Sequence, residues 1–188
     1  MLSEPLRRKV VAVACALEGC GIPYAVGGAI AFGYAAEPRG TTDIDINIFL
    51  AARDSSAVLE CLAGIGIPID ISTARAEIES REQARFYWDE TAIDLFFAYH
   101  EFHDSCATRA VLRPFDEITI PVLSAEDILV LKALFNRPKD WLDIEQIVLT
   151  RSARLDVAYV LNWLDAMVGP EDSVRRRVAE MVARAASG

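Results

Sequence analysis

Two rhythms of apolar and polar positions run along this chain. From about residue 6 to 19, apolar residues recur at helical spacing behind Arg7, Arg8 and Lys9, and Gly19 and Gly21 stop the run. Tyr24-Ala25-Val26 then reads as a short strand, residues 29–34 as a helix, and the alternation Asp43-Ile44-Asp45-Ile46-Asn47-Ile48 as a second strand. Helices are expected over 55–63, ended by Gly64 and Gly66, and over 72–83 with Ser72 or Thr73 as cap. Residues 86–88 and 92–99 read as the arms of a hairpin around Asp89-Glu90, and 118–123 as a further strand. From Ser124 onward the helical period takes over. Ser124-Ala125-Glu126-Asp127 looks like a capping box, and residues 128–135 are apolar except for Lys132. Pro138 breaks that helix and starts the next, which runs to about 149; two more cover 156–168 and 170–185. The fold class expected is α/β (α+β): a core of mixed sheet flanked by helices over 1–123, then a C-terminal helical bundle over 124–188.

The alternating strand carries the chemistry. Residues i and i+2 of a strand share one face, so Asp43 and Asp45 project together while Ile44, Ile46 and Ile48 fill the other face. Two neighbouring carboxylates repel unless a cation or a proton intervenes. Mg²⁺ suits the pair, because it binds oxygen ligands through one or two carboxylates plus substrate phosphates. Gly27-Gly28 lies between strand and helix, where backbone N–H groups approach a phosphate at a helix N-terminus. A third carboxylate, Asp94, interrupts the apolar run Ile93-Asp94-Leu95-Phe96, where Asp is disfavoured without a reason. Three carboxylates beside a phosphate-binding turn point to two-metal phosphoryl or nucleotidyl transfer.

Plainer readings compete at each position. Asp43 and Asp45 fit a solvated strand face, and Asp94 fits an edge-strand aspartate paired with an arginine. A calcium loop fails, because its sixth position requires Gly and Ile48 stands there. Arg39, just before Thr41 and Thr42, is placed to grip a phosphate bidentately or to remain a surface arginine. His100 and His103 have no further soft ligand nearby in sequence and are left outside the site.

Composition narrows the partners. The chain has 188 residues, 53% hydrophobic and 25% charged, enough for a substantial core. A net charge of −9 and a pI of 4.7 argue against a broad nucleic-acid surface, though not against a local basic patch docking one RNA end. No stretch approaches the roughly 20 apolar residues that cross a bilayer, and the polar start does not read as a secretory leader. The four cysteines lack zinc-ligand spacing and are expected to be reduced core thiols of a cytoplasmic protein.

The order Gly27-Gly28, Arg39-Gly40-Thr41-Thr42-Asp43-Ile44-Asp45, Ile93-Asp94-Leu95, then Lys132 and Arg137-Pro138-Lys139-Asp140, resembles the nucleotidyltransferase superfamily with the DNA polymerase beta-like core. Within it the chain is most similar to small bacterial nucleotidyltransferases related to AbiEii-type toxins, over about residues 22–150. The resemblance implies transfer of a nucleoside monophosphate from an NTP to an acceptor hydroxyl with release of pyrophosphate. Asp43, Asp45 and Asp94 would be catalytic and hold two Mg²⁺ ions, with Mn²⁺ as a substitute. Gly27, Gly28, Arg39, Thr42, Lys132 and Asp140 would serve the nucleotide, Lys132 meeting the triphosphate and Asp140 orienting Lys132 or shaping the pocket. Acceptors in the family include the 3′ end of tRNA, a partner protein and small molecules, and the AbiEii-type likeness implies a toxin or antitoxin partner. Snorkelling to solvent is the plainer fate of Lys132, and a favourable place beside a helix N-terminus that of Asp140. A non-catalytic NTP-binding, antitoxin or scaffold module is the alternative from another class. A metal-dependent phosphohydrolase lacks the His/Asp clusters it needs.

Overall fold

The computed structural model describes residues 2–187. By contact the chain divides into two compact units: the chain up to Ile30 with Arg39–Leu123, and Ala31–Pro38 with the chain from Ser124 onward.

The first unit is built on a six-stranded mixed sheet. Its strands are β1 (Tyr24–Val26), β2 (Ile44–Ala51), β3 (Gln83–Trp88), β4 (Thr91–Ala98), β5 (Val111–Phe115) and β6 (Ile118–Val122), in the order β3-β4-β2-β1-β6-β5. β2 and β4 run parallel, while β1 with β2, β3 with β4, and β5 with β6 are antiparallel. Register explains the alternation in the sequence. Ile44, Ile46 and Ile48 lie beside Ile93, Leu95 and Phe97, all at most 1% exposed, so one face of the two central strands is continuous apolar core. The opposite face carries Asp45 beside Asp94 and Asn47 beside Phe96. Helices α1 (Glu4–Gly19), α3 (Ser55–Gly64), α4 (Ile71–Arg81) and α5 (Glu101–Arg109) belong to this unit, and α1 packs on α3, which packs on α4.

Four details differ from the sequence expectation. Asp43 precedes β2 rather than lying within it. The cap of α4 is Asp70, whose carboxylate accepts the Thr73 N–H, because Asp at this position reaches the free N–H before Ser72 or Thr73 can. Helix α5 and strand β5 are additional elements. Cys15 and Cys20 are exposed and Cys61 is half-buried, leaving Cys106 in the core. The buried stripe of α1 is Leu6, Val10, Val13, Ala14 and Leu17, and Cys15 falls off it.

The second unit is helical: α6 (Ala125–Phe135), α7 (Pro138–Arg151), α8 (Val157–Val168) and α9 (Ser173–Ser187). Ser124 caps α6, accepting the Asp127 N–H and donating its hydroxyl to the Asp127 carboxylate at 2.6 Å. The other Asp127 oxygen takes the Tyr159 hydroxyl at 2.6 Å, so this fully buried acid is satisfied from α8. Helix α2 (Gly28–Ala35) begins in the first unit and ends in the second. Arg151 fastens its end, donating to the carbonyls of Ala35 at 2.9 Å and Tyr34 at 2.6 Å. Among the described residues no helix is long and apolar enough to cross a membrane.

Candidate active site on the polar face of the sheet

The turn from β1 into α2 is shaped around one carboxylate. Gly27 donates its N–H to the Asp45 carbonyl at 2.8 Å, tying the turn to β2. Gly28 has a φ of +53°, the left-handed region that side chains resist. A Cβ on Gly28 would lie 1.8 Å from Asp45 Oδ2 and 2.3 Å from its Cγ, so the bare backbone is what admits the carboxylate. A Cβ on Gly27 would instead meet the Asn47 side-chain nitrogen at 2.5 Å. Asn47, two residues after Asp45, therefore seats the first glycine as Asp45 seats the second.

Asp43 is organised by the threonines before it. Thr42 donates its hydroxyl to Asp43 Oδ1 at 3.0 Å, and the Asp43 N–H donates to Thr41 Oγ1 at 3.1 Å. Thr42 thus orients a carboxylate. Arg39 is exposed at the start of this segment.

Asp94 lies in register with Asp45 on the neighbouring strand and is 9% exposed. On its other side the hairpin places Arg85 directly opposite. Arg85 grips both carboxylate oxygens, Nε to Oδ1 at 2.6 Å and Nη2 to Oδ2 at 2.7 Å. That hydrogen bonding and the adjacent negative charge push the Arg85 pKa further up, fixing it as a cation. The arginine pairing of the alternative for Asp94 is therefore realised, but on an inner strand, because β3 covers the edge beside β4. Its partner was legible: a two-residue turn at Asp89-Glu90 pairs Trp88 with Thr91, and counting back three places sets Arg85 opposite Asp94.

Asp43, Asp45, Asp94, Gly27, Gly28 and Thr42 therefore gather in the first unit, whereas Lys132 and Asp140 lie in the second. Lys132 is 6% exposed, and its ammonium donates to Asp143 Oδ2 at 2.6 Å, stands 3.5 Å from Asp140 Oδ1 and 5.8 Å from the centre of the Phe32 ring. Asp140 is itself held by Arg137, Nε at 2.6 Å and Nη2 at 3.1 Å. Burial pushes the Asp140 pKa up, but the Arg137 hydrogen bonds and the charges of Arg137 and Lys132 outweigh it and leave it below the ordinary value. Lys132 thus ties α6 to α7 through Asp143, a partner whose approach no local spacing announces.

The donor set accommodates part of what a metal needs. Asp43 and Asp45 offer two carboxylates of the kind Mg²⁺ takes alongside substrate phosphates. Asp94 is neutralised by Arg85, and among the described residues no three His, Cys, Asp or Glu side chains are gathered as a cage.

The sequence matches no family model and no curated protein. Solved structures are similar to it in fold. The lincosamide antibiotic adenylyltransferase LnuA, lincomycin-bound, is 13% identical over 78% of this chain and 96% of its own, with a TM-score of 0.51. ANT(2″)-Ia in complex with adenylyl-2″-tobramycin is 12% identical over 96% of this chain and 97% of its own, with a TM-score of 0.52. With its mixed sheet and flanking helices, the chain has the fold of the nucleotidyltransferases.

Proposed function

We propose that this chain is a Mg²⁺-dependent nucleotidyltransferase that moves a nucleoside monophosphate from an NTP to an acceptor hydroxyl, releasing pyrophosphate. The observation that carries the reading is the seat of Asp45 on Gly28. A left-handed glycine without a Cβ brings the first turn of α2, whose N–H groups lack intrahelical partners, against a carboxylate suited to a divalent ion. Triphosphate and metal ligand would then meet at one point.

In this reading Asp43 and Asp45 would hold the ion, and Thr42 fixes the orientation of Asp43. A bound ion would supply Lewis-acid charge neutralisation at the phosphates. Gly27 and Gly28 let the backbone approach the phosphates, and Arg39 offers a fork to a phosphate from the loop before Asp43. Asp94, beside Asp45, faces the acceptor and takes its proton once Arg85 yields. Lys132 and Asp140 brace α6 against α7; Lys132 reaches a triphosphate only by giving up Asp143.

The acceptor is an RNA 3′ end, a partner protein or a small molecule, and the AbiEii-type resemblance suggests a toxin–antitoxin setting. LnuA and ANT(2″)-Ia, with their lincomycin and adenylyl-tobramycin complexes, support the small-molecule class. One observation favours the rival, a module that binds NTP without turnover: Arg85 already answers the charge of Asp94. The test supplies α-³²P-labelled NTPs singly, with Mg²⁺ and desalted bacterial extract, and follows label into RNA, protein and small molecules. Label in one fraction that disappears with Asp45→Asn is the expected result. NTP binding without label in any fraction would replace the transferase by the binding module.

A further inference from the structure

The polar face of the sheet contains a cation of its own. Asp45 and Asp94 stand side by side on parallel strands, which lie about 4.8 Å apart, and Asp43 is two residues away. Three like charges so placed need an answer, and Arg85 gives it to Asp94 through two short, charge-assisted bonds. Both oxygens of Asp94 are thereby taken. The arginine itself is not trapped: its side chain is 53% exposed on β3, the edge strand of the sheet, so a released guanidinium passes into water.

We infer that Arg85 and a divalent ion compete for Asp94, so that an ion held by Asp43 and Asp45 gains Asp94 as a ligand only when Arg85 lets go. This rests on the proposed metal role of Asp43 and Asp45. Arg85 is then a positioning residue that keeps the third carboxylate out of the coordination shell at rest. It also makes the face tolerable without metal.

The experiment binds Mn²⁺ alone to the full chain and counts its bound waters by magnetic resonance in ¹⁷O-water. A six-coordinate ion on two monodentate carboxylates keeps about four waters. In Arg85→Gln the freed Asp94 enters and one water is lost, and Arg85→Gln/Asp94→Asn recovers it. A mere change in local charge would alter affinity and leave the water count alone. Arg85→Lys keeps the charge without the fork and is expected to lose the same water, which guards against misfolding of the glutamine variant. An unchanged count in both Arg85 variants overturns the inference. So does Asp94→Asn gaining a water on its own, since Asp94 would then already be a ligand beside Arg85. Asp45→Asn separates the two levels: if it binds Mn²⁺ as tightly as the unmodified chain, the metal reading falls and this inference with it. If Asp45→Asn loses Mn²⁺ while the Arg85 variants keep every water, only the competition fails.

Discussion

Replacing Gly28 by alanine perturbs the turn in two separable ways. The residue has a φ of +53°, where an L side chain costs about 1–2 kcal/mol. The new methyl also falls 1.8 Å from Asp45 Oδ2, 2.3 Å from Cγ and 2.9 Å from Cβ. A rotamer change moves the oxygen and Cγ, but Cβ is fixed to β2 in the middle of the sheet, so relief requires backbone to shift. Overpacking of this kind costs about 1–3 kcal/mol. Together the two effects give about 2–5 kcal/mol, or about 4–20 °C in Tm for a chain of this size. Scanning calorimetry on Gly28→Ala reads the total. Adding Asp45→Ala removes the two closest overlaps but neither the φ cost nor the Cβ contact at 2.9 Å, so the double variant should recover only part of the steric loss. Gly27→Ala is the control. Its φ is not left-handed, and its closest neighbour is the mobile end of Asn47 at 2.5 Å, so its loss should be smaller. A Gly28→Ala protein within a degree or two of the unmodified chain, or strict additivity with Asp45→Ala, would refute the idea that this turn is moulded on the carboxylate.

Other perturbations have defined outcomes. Lys132→Met takes the ammonium from buried Asp143 and one of two cations from buried Asp140, and should cost about 3–5 kcal/mol in urea unfolding, with partial recovery on adding Asp143→Leu. No loss beyond 1 kcal/mol would show that the lysine is no brace. Burial holds the His103 pKa below its ordinary 6.5, so the folded state resists protonation. Its contribution is intact above pH 6.5 and is lost as the pH falls from there through the depressed folded value. His103→Gln should therefore flatten the stability profile in that window, and an unchanged slope would refute the assignment. Ser124→Ala removes the cap of α6 and a partner of buried Asp127, and should cost about 1–2 kcal/mol by thermal melting.

Much of the architecture was legible because the physics is local. The isoleucines of β2 alternate, the Asp89-Glu90 turn sets a hairpin, and Pro138 opens α7 as a residue without an N–H can. Helix α5 escaped because its cap is His100, whose Nδ1 accepts the Phe102 N–H at 3.1 Å, and no Ser, Thr, Asp or Asn announced the start. Strand β5 contains Pro114 and lies at the sheet edge, where a missing ladder N–H is tolerated, and edge position is a property of topology. The candidate site divides in the same way. Asp43, Asp45 and Gly28 stand out by spacing, and Arg85 follows from hairpin register. The Lys132–Asp143 bond depends on how α6 turns into α7, which no periodicity encodes.

The helical unit is discontinuous in sequence, and this sets a schedule for synthesis. Residues Ala31–Pro38 leave the ribosome early, yet the helices they join begin only at Ser124. At about 5–20 residues per second, Phe32, fully buried in the finished protein, waits for seconds with its ring uncovered while the sheet is being made. The nascent chain must shield this aromatic side chain until the residues from Ser124 onward arrive. A chain released at Leu123 would never cover it, so premature termination there should yield a fragment that sticks to chaperones rather than a free-standing sheet unit.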